Sequence, residues 1–288
     1  MADEHAHIPS SPAGRPDFSG VRVLLAEDNL INQEVAVELL QAVGAVVDVS
    51  SDGSAALACA ERKHYDLVLM DVQMPGLDGL EATRRIRQLS HHARTPILAM
   101  TANAFGEDRA ACLDAGMNDH IAKPVDPDQL YGLMQHWLHE TPVPAPRPPA
   151  GRPASTADRP PALPEIPGLV TSRALMHLPG RDDLFLRVLQ RFADDYRGGL
   201  PRLAALLAEG AHGEARALVH TLRGSCGAIG ALALSGQALA FEEALERAAR
   251  HELDAEALAA DERALQRALA ALTGTIRAAL RERSVGPQ

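Results

Sequence analysis

Up to about residue 140 the chain alternates between two hydrophobic periods. VRVLLAED (21–28), AVVDVS (45–50), DLVLMD (66–71), PILAMTA (96–102) and DHIAKP (119–124) are short, largely apolar runs bounded by turn residues, the pattern of strands covered on both faces. Between them, stretches such as NQEVAVELLQAV place apolar residues at i, i+3, i+4 and i+7, and GLEATRRIRQL is helical as well. Gly44 and Gly116 fall where helix C-termini end. Five βα units of this size predict an α/β doubly wound five-stranded parallel sheet, with its ligand site at the carboxyl ends of the strands.

Beyond residue 168 the strand signal vanishes. Amphipathic stretches rich in Ala, Leu, Arg and Glu run from Asp182 to Tyr196, Leu200 to Glu209, Glu214 to Cys226, Ala231 to Arg250 and Asp254 to Arg283, and predict an antiparallel helical bundle. Ten of the chain's 20 prolines lie between Pro142 and Pro167. That segment reads as a linker, spanning up to roughly 80 Å as polyproline II or about 28 Å as flexible coil, so the two flanking domains are free to meet. The expected organisation is a disordered leader over 1–18, an α/β domain over 19–140, a Pro-rich linker over 141–168, a helical bundle over 169–283 and a tail over 284–288.

Composition narrows the function. The net charge is −10, and Phe18 to His139 carries 17 Asp and Glu against 9 Lys and Arg, which argues against a nucleic-acid footprint. Cys59, Cys112 and Cys226 are odd in number without CxxC spacing, which fits reduced thiols and a cytoplasmic location. The polar, proline-rich start lacks the features of a signal peptide, and nothing approaches an 18-residue apolar run, so no direct membrane contact is expected.

The switch-point rule brings Glu27 and Asp28, after the first strand, together with Asp71 at the end of the third. Three carboxylates in one place repel, so a cation must be present or their pKa values must rise. Hard oxygen ligands without nearby His or Cys favour Mg²⁺. The plainer alternative is that one or two of these acids cap the helices that follow. Thr101 and Lys123 reach the same edge from the fourth and fifth strands. Only Lys63 and Lys123 among 28 basic residues are lysines, and a compact ammonium fits beside a carboxylate and a phosphoryl oxygen where a forked guanidinium fits poorly, although a Lys snorkelling at a strand end is the simpler account.

ED at 27 and 28, MDVQMPGLDG around Asp71, MTA around Thr101 and KP at 123 and 124 resemble the receiver domain of two-component response regulators, of the type attached to hybrid histidine kinases. The resemblance covers about residues 19 to 140 and implies a flavodoxin-like fold. It implies that Asp71 is the phosphoacceptor and Asp28 a direct Mg²⁺ ligand, with Glu27 helping through water. Gln73 would lend its backbone carbonyl to the metal, Thr101 would bind the phosphoryl group and Lys123 would neutralise it. His120 stands where receivers usually carry a Tyr or Phe that swings inward on activation.

In the helical half, Ala215, Leu218, Val219, Leu222 and Cys226 form an apolar stripe, and at 100° per residue His220 lies roughly 140° from its centre, facing solvent. Gly224 and Gly227 flank it, each costing about 1 kcal/mol relative to Ala in mid-helix, which suggests that bulk is kept away for an approaching protein. Arg223 is placed to pair with a phosphoryl group on the ring. The simpler account is a surface His beside glycines that permit close packing. HTLRGSCGAIGA resembles the motif of histidine phosphotransfer (HPt) domains, with Arg223 in place of the usual Lys and Gly230 ten residues after the His. This resemblance covers about 170 to 283 and implies an all-α four-helix bundle phosphorylated at His220. His5, His7, His91, His92, His136 and His139 lack supporting ligands and read as solvated surface.

The expectation is therefore a phosphorelay protein with Mg²⁺ as cofactor and a histidine kinase and further receiver or HPt domains as partners. No Gly-rich ATP-binding box is evident, so the chain is not expected to phosphorylate itself from ATP. Met1 and the polar leader favour a free-standing relay over the C-terminal part of a hybrid kinase. Two rivals remain: a helical docking or dimerisation module that is never phosphorylated, and a haloacid dehalogenase-type phosphatase. The latter wants Asp-x-Asp, and this chain has Asp71-Val72-Gln73.

Overall fold

The computed structural model describes residues 16–101, 107–139, 165–171 and 182–284. Most of the expected leader and Pro-rich linker, and the tail beyond 284, lie outside the described residues.

Five strands, β1 (Arg22–Ala26), β2 (Val46–Ser50), β3 (Leu67–Asp71), β4 (Ile97–Thr101) and β5 (Asp119–Ala122), form one parallel sheet in the order β2-β1-β3-β4-β5. All were expected, and each is one to three residues shorter than its apolar run. Alternation along the strands feeds two separate cores. Leu25, Leu69, Leu98 and Met100 face α1 (Leu30–Ala42) and α5 (Pro127–His139), while Leu24, Val68, Met70 and Ile97 face α2 (Gly53–Arg62), α3 (Gly79–Gln88) and α4 (Glu107–Asp114). Burial on both faces explains why β3 and β4 read as unbroken apolar runs. Gly44 follows the C-cap of α1 at φ +86°, where a side chain would be strained and its Cβ would collide with Ser19 Oγ.

The helical half contains α6 (Asp182–Asp195), α7 (Leu203–Ala208), α8 (His212–Ala228), α9 (Leu232–Ala249) and α10 (Ala255–Ser284). Four long helices pack around Phe185, Phe192, Leu222, Leu245, Leu269 and Ile276, with the six-residue α7 as a short addition. The expected bundle is thus present.

Two boundary expectations need correction. Phe18, assigned to the leader, is buried and donates its N–H to Val43 O at 2.8 Å. Ile166, assigned to the linker, is buried in the helical core, and Val170 N–H donates to Gly230 O at 2.9 Å. Prolines and turn residues around Phe18 and Ile166 interrupt any regular element, so no strand or helix period marks their burial.

The domains also touch. Helix α1 packs against α6 and α8, and the buried residues of its face and of the bundle form one continuous apolar cluster. At the rim Arg187 lies 3.5 Å from Glu34 and 3.6 Å from Glu38, half-exposed pairs of the kind that contribute about 0–1 kcal/mol. Within the bundle Phe192 is fully buried, its ring 4.8 Å from that of Tyr196. Phe192→Ala should cost about 3–5 kcal/mol in urea unfolding, and a loss below about 1 kcal/mol would show that the bundle core is not packed as described.

Candidate functional site

Glu27 and Asp28 follow β1, Asp71 closes β3, Thr101 closes β4 and Lys123 follows β5, so five side chains arrive at one edge because parallel strands end together there. Glu27 and Asp71 are buried, and one oxygen from each of Glu27, Asp28 and Asp71 lies within 4.8 Å of the others. Lys123 Nζ sits 2.6 Å from Glu27 Oε2 and 2.6 Å from Asp71 Oδ2. Gln73 N–H donates to Asp71 Oδ1 at 3.1 Å.

The electrostatics follow from counting charges. Burial pushes the Asp71 carboxyl up to about 7, Glu27 and Asp28 add to the rise, and Lys123 opposes it. Burial and Glu27 raise Asp28 as well. For Lys123, burial disfavours charge but Glu27 and Asp71 outweigh it, so its ammonium is held charged. One ammonium shared by two carboxylates, with a third close by, leaves surplus negative charge in a poorly hydrated pocket. An all-oxygen donor set with that surplus fits Mg²⁺.

Of the other expected site residues, Thr101 is buried at the end of β4. His120 lies in β5 opposite Ala99, half-buried, with Nδ1 3.3 Å from Asp119 Oδ1.

His220 is on α8, but it does not face open solvent. Its side chain is 14% exposed, because the α/β domain covers this side of the helix. Nδ1 is 3.4 Å from Glu242 Oε2 and 3.2 Å from an Arg223 guanidinium nitrogen, and Arg223 Nε is 3.3 Å from Glu242 Oε1. Nδ1–H donating to Glu242 is the tautomer that leaves Nε2 free for chemistry, whereas an Arg223 N–H donated to Nδ1 places the ring proton on Nε2. With Asp28, Gln73, Met74, Pro75 and Thr221, His220 lines an open cleft of about 340 Å³. Thr221 Oγ1 lies 3.2 Å from Asp28 Oδ2. The bulk that the glycines exclude belongs to this chain's own α/β domain: a Cβ on Gly224 would sit 3.1 Å from Asn32 Nδ2, and one on Gly227 3.8 Å from Pro124 Cδ.

Sequence reasoning missed Glu242. It is buried on the α9 stripe of Ala238, Phe241 and Leu245, and a carboxylate on an apolar stripe was the available signal. The surface reading of His92 is also corrected. It is fully buried, with Nε2 3.0 Å from Lys63 O and Nδ1 3.0 Å from Thr95 Oγ1, and burial lowers its pKa. His91, only partly buried, packs 4.5 Å from it, while His136 packs edge-on to Trp137 at 5.1 Å. His5, His7 and the side chain of His139 lie outside the described residues.

With the geometry in place, comparison with known proteins is informative. Residues 23–135 match the response regulator receiver domain and residues 187–275 match the Hpt domain. The chain is 43% identical over 122 residues to hybrid signal transduction histidine kinase K of Dictyostelium discoideum, covering 40% of this chain and 10% of that relative. It is 29% identical over 242 residues to the signal transduction histidine-protein kinase BarA of Escherichia coli, covering 80% of this chain and 24% of BarA. The chain therefore spans a quarter or less of these relatives. A solved receiver domain, from the Pseudomonas aeruginosa sensor histidine kinase PA1611 and described with magnesium coordinated in its active site cleft, is 45% identical, with 42% of this chain and 99% of that one covered and a TM-score of 0.41.

The carboxylate cluster makes a prediction about metal and pH. Asp71 has a folded pKa raised above its ordinary value near 4, so the folded state holds that proton more tightly, and without metal its contribution to stability is lost as pH climbs from about 4 to about 7. Protons and Mg²⁺ compete for the same oxygens. Millimolar Mg²⁺ should raise the melting temperature at pH 8, do so less at pH 5, and do so at neither pH in Asp28→Ala. A rise that survives Asp28→Ala, or is larger at pH 5, would contradict the metal assignment.

Proposed function

Since this chain joins a response regulator receiver domain to an Hpt domain, we propose that it works as a phosphorelay protein, passing one phosphoryl group between His220 and Asp71. One observation carries the reading: His220 lines the same cleft as Asp28 and Gln73, beside the buried Asp71 and Lys123 pair.

In the direction from His220, an Asp71 carboxylate oxygen attacks phosphorus in line. The O–P bond forms as the Nε2–P bond breaks, and the bonding pair returns to the imidazole nitrogen. In the reactive tautomer Nδ1–H donates to Glu242, which leaves Nε2 to carry the phosphoryl group, and Arg223 Nε pairs with the same carboxylate. Lys123 offsets charge on the transferring oxygens, and Glu27 keeps Lys123 in place. Thr101 is the hydroxyl placed to bind the phosphoryl group at the end of β4, and Thr101 with His120 would report its arrival to the surface. Asp28, Asp71 and the Gln73 carbonyl would hold Mg²⁺, with Glu27 reaching it through water. When bound, that ion neutralises and orients the phosphoryl oxygens. The reverse step uses the same groups, so the direction of flow depends on partners, namely a histidine kinase and further receiver or HPt domains. Among the described residues no helix is long and apolar enough to cross a membrane, and three cysteines outside any disulfide suit a cytoplasmic protein.

Full-length chain incubated with Mg²⁺ and acetyl phosphate should first gain base-labile phosphate on Asp71 and then base-stable phosphate on His220. Asp71→Asn should block both, His220→Gln should retain only the first, and Lys123→Met should slow transfer by about 100-fold or more. Base-stable phosphate persisting in His220→Gln would sink the reading. Its absence from the unaltered chain would favour a docking module that is never phosphorylated.

A further inference from the structure

The contact between the two domains includes a buried polar group, Asn29, whose hydrogen bonds fix its orientation. Asn29 caps α1: its Oδ1 accepts from Ile31 N–H at 2.9 Å and Asn32 N–H at 3.3 Å. That cap fixes which way the amide points, so Nδ2 must face α8 of the HPt domain. Both of its protons are used there, on Thr221 O at 2.8 Å and Ser225 Oγ at 2.7 Å. Ser225 Oγ in turn lies 3.0 Å from Thr221 O and 2.9 Å from the Tyr196 hydroxyl. An amide nitrogen only donates and the carbonyl of Thr221 only accepts, so the Ser225 proton goes to Thr221 and Tyr196 donates to Ser225. Asn29 and Ser225 are 4% and 1% exposed, so no water substitutes for a missing partner.

We propose that Asn29, Ser225 and Tyr196 form a polar latch that holds this receiver and this HPt domain in register for transfer, making Asn29 and Ser225 specificity-determining positions for exchange within one chain. The proposal rests on the reading that phosphoryl passes between Asp71 and His220. Thr221, whose carbonyl receives two of the latch's hydrogen bonds, directly follows His220, so the latch pins the turn of α8 that carries the reacting ring. Gly224 completes the selection. Its missing side chain makes room for Asn29 and Asn32, with Asn29 Nδ2 only 3.7 Å from where a Cβ would stand. A foreign HPt surface without a hydroxyl at the position of Ser225, or with bulk at that of Gly224, would bury the Asn29 amide without a full set of acceptors. Discrimination then comes from the penalty on wrong partners as much as from the bond to the right one.

The test uses the full chain with Ser225→Ala and Tyr196→Phe, neither of which touches Asp71, His220 or the acidic cluster. Labelling of Asp71 by acetyl phosphate should keep its rate. Transfer from Asp71 to His220 should slow by at least about tenfold in Ser225→Ala and by less in Tyr196→Phe, and Ser225→Thr should recover part of the loss. Independently of transfer, the Asn29 side-chain amide protons should exchange slowly with solvent in the unaltered chain and quickly in Ser225→Ala. A serine that merely packed inside its own bundle would not move that signal. Transfer rates and Asn29 protection equal to those of the unaltered chain in both variants would overturn the latch. Slow exchange at Asn29 in a chain that never moves phosphate to His220 would instead overturn the relay reading and reduce the contact to docking.

Discussion

Three carboxylates and one ammonium, largely withdrawn from water at the end of one sheet, set the terms for the rest of this protein. Lys123 touches both Glu27 and Asp71 at 2.6 Å, yet it carries a single charge. Without Lys123 the cluster would be too costly to bury. With Lys123 alone it remains short of positive charge, and Asp71 keeps a raised pKa. That imbalance is one that a bound divalent cation would relieve.

The sheet exists, in this sense, to make the cluster possible. Parallel pairing brings β1, β3, β4 and β5 to a common end, and burial of both faces keeps solvent from screening what meets there. Helix α1 then has two duties. One face closes the core over Leu25 and Leu69, and its N-terminus, at Asn29, is the point where the helical domain seats. Because that point directly follows Glu27 and Asp28, the domain that docks there inevitably places α8 above the cluster. His220 faces Asp28 across a cleft for this reason, and Gly224 is small for the same reason.

The two chemistries are held by similar means. Asp71 Oδ1 accepts from Gln73 N–H and Oδ2 from Lys123, and His220 Nδ1 lies against Glu242 and Arg223, so both side chains are held by neighbours already in place. Fixing the neighbours in advance leaves little to reorganise in the proposed transfer.

Much of this was legible in the chain. The change from short apolar runs to amphipathic helical stretches marked two domains, because hydrophobic period is a local property. The acids at strand ends, a lysine in an arginine-rich chain and a histidine between glycines marked the chemistry, because each departs from what packing alone requires. Glu242 left only the trace of a carboxylate on an apolar stripe, and Ser225, Tyr196 and His92 were not legible. Their residue types are common at the surface as well as inside, and their roles come from partners such as Asn29 and Thr221, 192 positions apart. Sequence alone determined the elements and the candidate reactive groups; only the tertiary structure decided which buried polar atoms face one another, since burial and hydrogen-bond partnership are properties of two distant segments meeting and are written in neither one.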